Sequence, residues 1–237
     1  MNNEEKNKNK IFDSLLFVLL IGSLWGVSEV VLSVGLKSAG IQFRSGILTG
    51  VGIGLMAVAL SYLRKPLLLI PVSIITVLCK QLVVPMLNVS VMCNANSCVA
   101  VFLQAGILTG VTYFLTERLS KRKSALFAVG ASAALLSAVA FYYIGMKVAP
   151  CNYLLSFNTA GGFVSFLYRE GLNWALISGI LFPAGYWVGN KLRETVFESH
   201  LNRAWIYYFV SSVLIVACWL SSALIISAGY YDHFKTF

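Results

Sequence analysis

Gly46-Ile47-Leu48-Thr49-Gly50-Val51 recurs letter for letter at 106–111, and a related phrase, Ser178-Gly179-Ile180-Leu181, occurs further along the chain. Each phrase opens an apolar stretch long enough to cross a bilayer, and each stretch ends in basic residues, at 64–65, 118–123 and 191–193. A phrase that recurs at the head of every second apolar stretch predicts a helical hairpin used three times. Repeated hairpins commonly build a bundle around a central site, which favours a protein that holds or moves a ligand over a simple anchor.

Composition assigns the chain to the membrane class. The 237 residues are 58% hydrophobic and 11% charged, and the mean hydropathy is +0.80, far from the composition of a soluble domain. Lipid offers the backbone no hydrogen-bond partners, so spanning runs of about 20 apolar residues must be helices. Seven such runs are present: 11–36, 46–63, 66–87, 98–116, 125–146, 171–189 and 204–227.

The predicted fold is therefore an all-α, polytopic membrane helical bundle. We expect a six-helix core over residues 11–203, built from the three hairpin-like repeats, and a seventh C-terminal helix with a short outer tail over 204–237. Residues 1–10 are polar and are predicted to be a disordered cytoplasmic N-terminus. The longest segment between spans, 147–170, has apolar stretches at 153–157 and 163–168, which favours a re-entrant or capping segment.

The net charge of +9 reflects topology and not a nucleic-acid partner. In a seven-span arrangement five basic residues fall on one side and twelve on the other, the bias expected when cytoplasmic loops retain Lys and Arg. This predicts a protein of the cell membrane with its N-terminus in the cytoplasm and its C-terminus outside, in contact with anionic lipid headgroups. The cytoplasmic set is Lys6, Lys8, Lys10, Arg64, Lys65, Arg118, Lys121, Arg122, Lys123, Lys191, Arg193 and Arg203.

Two ionisable residues lie deep within predicted spans. At about 1.5 Å of rise per residue, Glu29 and Lys80 reach a similar depth in the outer half of the bilayer. A lone charge there costs at least a few kcal/mol, so each must face a partner or a cavity. One interpretation is a structural Glu29–Lys80 ion pair. The other is an outward-facing pocket with Trp25 and Trp174 as flat walls, whose predicted substrate-binding residues are Trp25, Glu29, Lys80, Gln104, Glu170, Asn173 and Trp174.

Glycines four residues apart mark close helix contacts. Gly22 and Gly26 in the first span form one such pair, and small residues at this spacing let helix backbones approach closely in lipid. The face they form packs either against another helix of the same chain or against a separate membrane subunit.

The cysteines divide by location. Cys79 and Cys218 lie within spans and are predicted to be inert thiols of the core. Cys93, Cys98 and Cys151 fall in or beside predicted outer loops, where a structural disulfide among them is the leading interpretation. The sequence has neither a Cys-x-x-Cys motif nor a His cluster to indicate a metal site, and we predict no metal and no resident cofactor. It also has no recognisable catalytic motif and no Walker motif, so ATP hydrolysis would need separate subunits.

The first span and the size of the core resemble those of a known family. A six-helix core, an inner N-terminus and small residues four apart in the first span (Gly22 and Gly26) resemble the substrate-binding S components of energy-coupling-factor (ECF) transporters. The resemblance implies that Gly22 and Gly26 dock on a transmembrane coupling subunit and that the loop over 151–168 caps the substrate. The stretch Leu-Trp-Gly-Val-Ser-Glu at 24–29 is similar to one in uncharacterised bacterial multi-pass membrane proteins. The chain departs from the family in using glycine where alanine is usual and in its seventh span.

The function expected from the sequence is a membrane substrate-binding subunit of an importer, which captures a small vitamin- or cofactor-like molecule from the outer side. Its expected partners are that substrate, membrane lipid, a transmembrane coupling subunit and separate ATPases. Two alternatives stay open. One is a membrane thiol–disulfide redox protein using Cys93, Cys98 and Cys151, and the other is a non-transporting membrane assembly subunit.

Overall fold

The computed structural model describes residues 3–81, 91–119 and 123–227, and this part of the chain is helical without a strand. Five described helical segments are long and apolar enough to cross a membrane, and a sixth apolar helical stretch, Pro66–Gln81, is shorter. The protein is therefore a helical membrane bundle. Its elements are α1 (Asn3–Ser38), α2 (Arg44–Leu63), a 3-10 turn (Pro66–Leu68), α3 (Leu69–Gln81), α4 (Val91–Leu119), α5 (Lys123–Val148), α6 (Asn152–Leu155), α7 (Gly162–Phe166), a π-helical turn (Leu167–Gly171) and α8 (Leu172–Ser227).

The first helix is longer than its apolar span. The sequence predicts disorder over 1–10, whereas the structure has α1 in helical conformation from Asn3 onward. A polar N-terminal extension can continue a helix already nucleated by the apolar span, because each further residue adds one hydrogen bond. Residues 82–87 of the predicted third span lie outside the described part of the chain.

The closest helix pair is α2 and the first part of α8. A methyl group added at Gly50 would come within 2.5 Å of the Ile177 side chain, and one at Gly185 within 2.1 Å of the Gly54 carbonyl oxygen. Contacts advance in the same direction along both helices, from Gly46 against Asn173 onward, so the two helices run parallel. Glycine at these positions lets the two backbones touch.

Helix α1 packs against α3 through Gly22 and Gly26. A methyl group added at either glycine would come within 2.6 Å of a Cβ atom of α3, that of Ile75 for Gly22 and that of Cys79 for Gly26. The Thr76 hydroxyl also donates to the Gly22 carbonyl oxygen at 3.1 Å. In the structure this glycine face therefore packs against another helix of the same chain, which is the first of the two alternatives.

A short capping segment, residues 151–171, closes one end of the bundle. It contains α6, α7 and the π turn, and its Leu154, Phe157 and Phe166 side chains are buried. Tyr142 of α5 donates to the Phe157 carbonyl oxygen at 3.1 Å. We call this segment the cap and this end of the bundle the cap end. The opposite end, which carries Arg64, Lys65 and Lys191, is the basic end.

Helix α8 contains both the sixth and the seventh predicted spans. In the first part of α8, Leu181 lies against Gly54 of α2. In the second part, Trp219 donates to Ser23 of α1 at 2.9 Å, and Trp25, two residues further along α1, packs on Gly52 of α2. Leu181 and Trp219 thus lie at a similar depth in the bundle, although a straight helix would separate them by about 57 Å. The second part of α8 therefore runs back toward the cap end, alongside α1.

The repeated phrases do not share one environment. Gly46 and Gly50 pack against α8, and Gly179 packs against Phe127 of α5. In contrast, no described side chain or neighbouring helix lies within 4 Å of a methyl group added at Gly106 or Gly110. The same six-residue phrase therefore lies in two different environments in the fold. The three-hairpin arrangement remains a prediction.

Candidate functional site

Glu29 and Lys80 form a direct ion pair inside the bundle. The Lys80 Nζ atom lies 2.9 Å from Glu29 Oε2, and Lys80 and Glu29 are 7% and 6% exposed, respectively. Lys80 also donates to the Ser97 hydroxyl, and the Trp25 indole N–H donates to Glu29 Oε1 at 3.4 Å. We call Trp25, Glu29, Lys80 and Ser97 the ion-pair cluster. It joins three of the predicted site residues, and both charges have partners within the chain.

The close approach of α1 and α3 produces this pairing. Glu29 lies three residues beyond Gly26, and Lys80 follows Cys79, the residue that Gly26 contacts. Side chains one turn beyond a glycine contact meet across the helix interface at short range. Gly22, Gly26 and Glu29 of α1 thus all contribute to the contact between α1 and α3.

A second polar contact joins α4 to α2. The Gln104 side-chain amide donates to the Thr49 hydroxyl at 3.1 Å. Three buried polar atoms of α4 and α8 have no hydrogen-bond partner in the described part of the chain: Gln104 Oε1, Trp174 Nε1 and Ser178 Oγ. Their residues are 3%, 4% and 0% exposed. We call Thr49, Gln104, Trp174 and Ser178 the central site.

The register of the helices places these residues at one level. Thr49 lies between Gly46 and Gly50, which contact Asn173 and Ile177 of α8, so Gln104 is level with Trp174 and Ser178. Helix α5 borders the same level, because Gly130 packs against Phe182 and the tilted rings of Phe141 and Trp174 lie 5.7 Å apart. The buried residues of α5 between those contacts have small side chains: Ala133, Ala134, Ser137 and Ala138.

A third polar group connects the cap to the bundle. Glu170 accepts hydrogen bonds from the Ser45 hydroxyl of α2 and the Tyr153 hydroxyl of the cap. Burial raises the pKa of the Tyr153 hydroxyl, and the hydrogen bond to the Glu170 carboxylate raises it further. Glu170 belongs to the π turn that precedes α8, and π turns inside helices are frequent at functional sites. We call Ser45, Tyr153 and Glu170 the cap cluster.

One face of α2 links the three polar groups. Ser45 bonds Glu170, Thr49 bonds Gln104, and Gly52 packs against the Trp25 indole, where a methyl group would come within 2.6 Å of Nε1. Positions 45, 49 and 52 follow the spacing of one helix face. They span about 10 Å along the axis. On this face of α2, polar contacts therefore run from Ser45 at the cap end to Thr49 one turn further in, and the Trp25 indole packs on Gly52 beyond them.

Two predicted site residues differ from the expected arrangement. Glu170 bonds Ser45 and Tyr153, while the buried ammonium of Lys80 pairs with Glu29. Asn173 donates to the Arg169 carbonyl oxygen, and its Cβ lies against the Gly46 position, so it belongs to the α2–α8 contact. The predicted residues thus divide among three groups and do not share one set of direct contacts.

The sequence did not single out several residues of these groups. Thr49 and Ser178 lie inside the repeated phrases, whose glycines indicate helix packing. Ser45 precedes the first phrase directly, and Ser97 lies between Asn96 and Cys98. A hydroxyl at a fixed place in a repeated phrase is a signal that the sequence does contain.

The cysteines predicted to form a disulfide have free thiols where they are described. Cys98 is buried in α4, where the Gln81 amide donates to its sulfur at 3.2 Å, and the Cys151 sulfur accepts from the Asn96 amide at 2.9 Å. Asn96 and Cys98 project from different sides of α4 because they are two residues apart, which separates the two thiols. The Cys93 side chain lies outside the described residues.

Within the described residues, no three His, Cys, Asp or Glu side chains converge in a way that could hold a metal ion. The comparisons with known proteins add no identity: no family model matches the chain, and neither a curated protein nor a solved structure matches it.

Proposed function

We propose that this protein is a membrane substrate-binding subunit that captures a small molecule from the outer side of the cell membrane. The observation that carries the proposal is the stripe of polar contacts on α2, which leads from the cap to the central site. Three buried polar atoms at its inner level have no hydrogen-bond partner among the described residues. Buried polar groups normally find partners, and a polar ligand would supply them.

The cap is the element that would open and close over the ligand. Tyr153 attaches it to Glu170, and an aromatic series runs inward from Phe166 to Phe141 at 6.4 Å and from Phe141 to Trp174 at 5.7 Å. A displacement of the cap would therefore move the indole of Trp174, because closely packed side chains cannot shift without displacing their neighbours. On this proposal cargo enters at the cap end, which faces outward, and the N-terminus lies in the cytoplasm.

Energy for uptake would come from separate ATPases through a transmembrane coupling subunit, because the sequence has no Walker motif. Gly22 and Gly26 are covered by α3. Docking of a coupling subunit would therefore use another surface of the bundle, and these two glycines do not enter the proposal.

The test is the capture of a cargo. Protein purified in mild detergent should release a small molecule on denaturation, detected by mass spectrometry at about one per chain. That molecule should raise the melting temperature when added back, since a ligand that binds only the folded state stabilises it. Trp174→Phe should reduce the amount released, whereas Trp205→Phe, at an exposed position of α8, should not. Protein that releases no molecule, and that no metabolite fraction stabilises, would rule the proposal out.

One observation favours a second candidate, the non-transporting assembly subunit. The Glu29–Lys80 pair satisfies both charges inside the chain, as a structural element would. Trp174→Phe distinguishes the candidates: an assembly subunit would keep its full activity in cells once stability is retained, whereas the proposed cargo carrier would lose uptake.

A further inference from the structure

We infer that the basic end of the bundle binds one anionic phospholipid, whose phosphodiester lies between Arg64 at the end of α2 and Lys191 of α8. An acyl chain of the same lipid lies along the exposed face of α8. The inference goes beyond the proposed function and does not depend on it, because this end of the bundle lies opposite the cap.

A tight contact between α2 and α8 brings the two basic residues together. A methyl group added at Gly189 would collide with the Val58 carbonyl oxygen, so the helices touch here. The next residue, Asn190, accepts a hydrogen bond from the Arg64 guanidinium at 2.8 Å. Lys191 follows directly, about 3.8 Å further along the Cα trace. The guanidinium is therefore held on the residue adjacent to Lys191.

Trp187 lies between the two cations when α8 is viewed along its axis. The Lys191 ammonium is 5.2 Å from the centre of the Trp187 ring. Asn190 and Lys191 follow Trp187 by three and four residues, so they lie one turn beyond it, on either side of its direction. A phosphate beyond the indole can therefore contact the ammonium on one side and the guanidinium on the other.

The backbone of Arg64 has a conformation that is unusual for an arginine. Arg64 ends α2 in the left-handed region, with φ 55° and ψ 21°. Among the described residues it alone combines a side chain with a positive φ. Glycine is the usual residue at such a helix end, because a side chain is strained there. Strain at a residue whose guanidinium reaches a second helix indicates a role for that side chain.

The basic residues of this group have no acidic partner in the described part of the chain. No described carboxylate forms an ion pair with Arg64, Lys65 or Lys191, and all three residues are exposed. The segments 64–65 and 187–194 together carry four basic residues and one acidic residue. The group therefore has a surplus of positive charge that an external anion would balance.

An apolar face of α8 leads from this group along the bilayer. Its exposed side chains recur every three or four residues, at Leu176, Ile180, Ala184 and Trp187. At about 1.5 Å per residue the stripe is about 17 Å long, close to half of the roughly 30 Å hydrocarbon core. That length suits the acyl chain of one leaflet, with the indole at the headgroup level. A soluble phosphate would leave this face unused, so the anion is a lipid.

The test measures which lipid lies next to Trp187. The full-length protein is placed in phosphatidylcholine bilayers with a small fraction of phosphatidylglycerol, and bromine on the chains of one lipid or the other quenches nearby indoles. The quenching of Trp187 is the part that Trp187→Phe removes. We expect phosphatidylglycerol to be preferred about 25-fold, since each of the two basic residues contributes about fivefold near a membrane surface.

Variants test whether the preference belongs to this group. Arg64→Gln and Lys191→Gln should each lower it about fivefold. Asn190→Ala keeps every charge but removes the hydrogen bond that holds the guanidinium, so it should also lower the preference. Lys147→Gln is the matched control, because Lys147 is exposed in the last turn of α5, one turn beyond the exposed Tyr143, at the cap end. It should leave the preference unchanged.

The inference is overturned if both lipids quench Trp187 equally, or if Lys147→Gln lowers the preference as much as Lys191→Gln. An unchanged preference in Asn190→Ala would also contradict it, because surface charge alone would then explain the binding. Displacement of the brominated phosphatidylglycerol by inorganic phosphate would indicate a site for a soluble anion instead. If Arg64→Gln does not fold, Lys191→Gln still decides. None of these results bears on cargo capture, which the release of a cargo decides separately.

Discussion

The Lys80 ammonium lies 2.9 Å from the Glu29 carboxylate, and the helices that carry the two residues meet through glycine. Removing one partner leaves a buried, uncompensated charge. We therefore expect Lys80→Met to lower the free energy of unfolding by about 3–5 kcal/mol. Glu29→Gln combined with Lys80→Met should recover most of the loss, because the amide oxygen of the introduced glutamine would still accept from the Trp25 indole.

Thermal unfolding in detergent measures both variants. A reversed pair, Glu29→Lys with Lys80→Glu, should recover less than the neutral pair, since the indole N–H of Trp25 can only donate and would face an ammonium. Equal stability of Lys80→Met and the unmodified protein would contradict the pairing.

The two copies of the repeated phrase should respond differently to the same kind of substitution. Gly50→Ala would force a methyl group to within 2.5 Å of Ile177, at a cost of about 1–3 kcal/mol. Gly110→Ala, the equivalent position of the second copy, meets no described neighbour and should change stability by less than about 0.5 kcal/mol. Denaturation of the two variants side by side checks the parallel α2–α8 contact, and similar losses for both would refute it.

The attachment of the cap should weaken at high pH. Folding raises the pKa of Tyr153 above its ordinary value of 10.0, mainly through burial and then through Glu170. The protonated hydroxyl therefore contributes its full stabilisation below pH 10, and the contribution is lost as the pH rises through the raised folded-state pKa.

Melting temperatures measured from about pH 8 to about pH 11 test this dependence. Tyr153→Phe should reduce the decline above the ordinary tyrosine pKa of 10.0, whereas Ser45→Ala removes the other bond to Glu170 and should keep the decline. A steeper decline in Tyr153→Phe than in the unmodified protein would contradict the assignment.

Thiol labelling should separate the cap cysteine from those of the bundle. Cys151 is only partly buried and should react with a water-soluble maleimide faster than Cys79 or Cys98, which are buried. Peptide mass spectrometry without reduction should find Cys98 and Cys151 unlinked. A disulfide that joins them, or one that cycles with the redox state of quinone, would favour the redox alternative.

Some of the site could be predicted from the sequence for a clear physical reason. The helical rise converts position into depth, so the predicted similar depth of Glu29 and Lys80 agrees with their 2.9 Å contact. Apolar length likewise predicts membrane helices, because the bilayer leaves the backbone no other conformation.

What the sequence could not provide is the rotation of each helix and the choice of its neighbour. Glu170 lies in the π turn before α8 and bonds Ser45 and Tyr153, two contacts that depend on the neighbouring elements. Gly106 repeats the context of Gly46 yet lacks its close neighbour, because the partner of a glycine is decided by other helices.

The parallel contact between α2 and α8 has a consequence for biosynthesis. Gly46 meets Asn173, a residue that leaves the ribosome much later, after three further apolar helices have been made. Until then the glycines of α2 lack their native partner helix, and this face of α2 can pair with a wrong helix or be recognised by quality-control proteases. We therefore expect ribosome-bound chains that end before α8 to be degraded quickly. We also expect the bundle to reach its final packing only when the first part of α8 binds to α2.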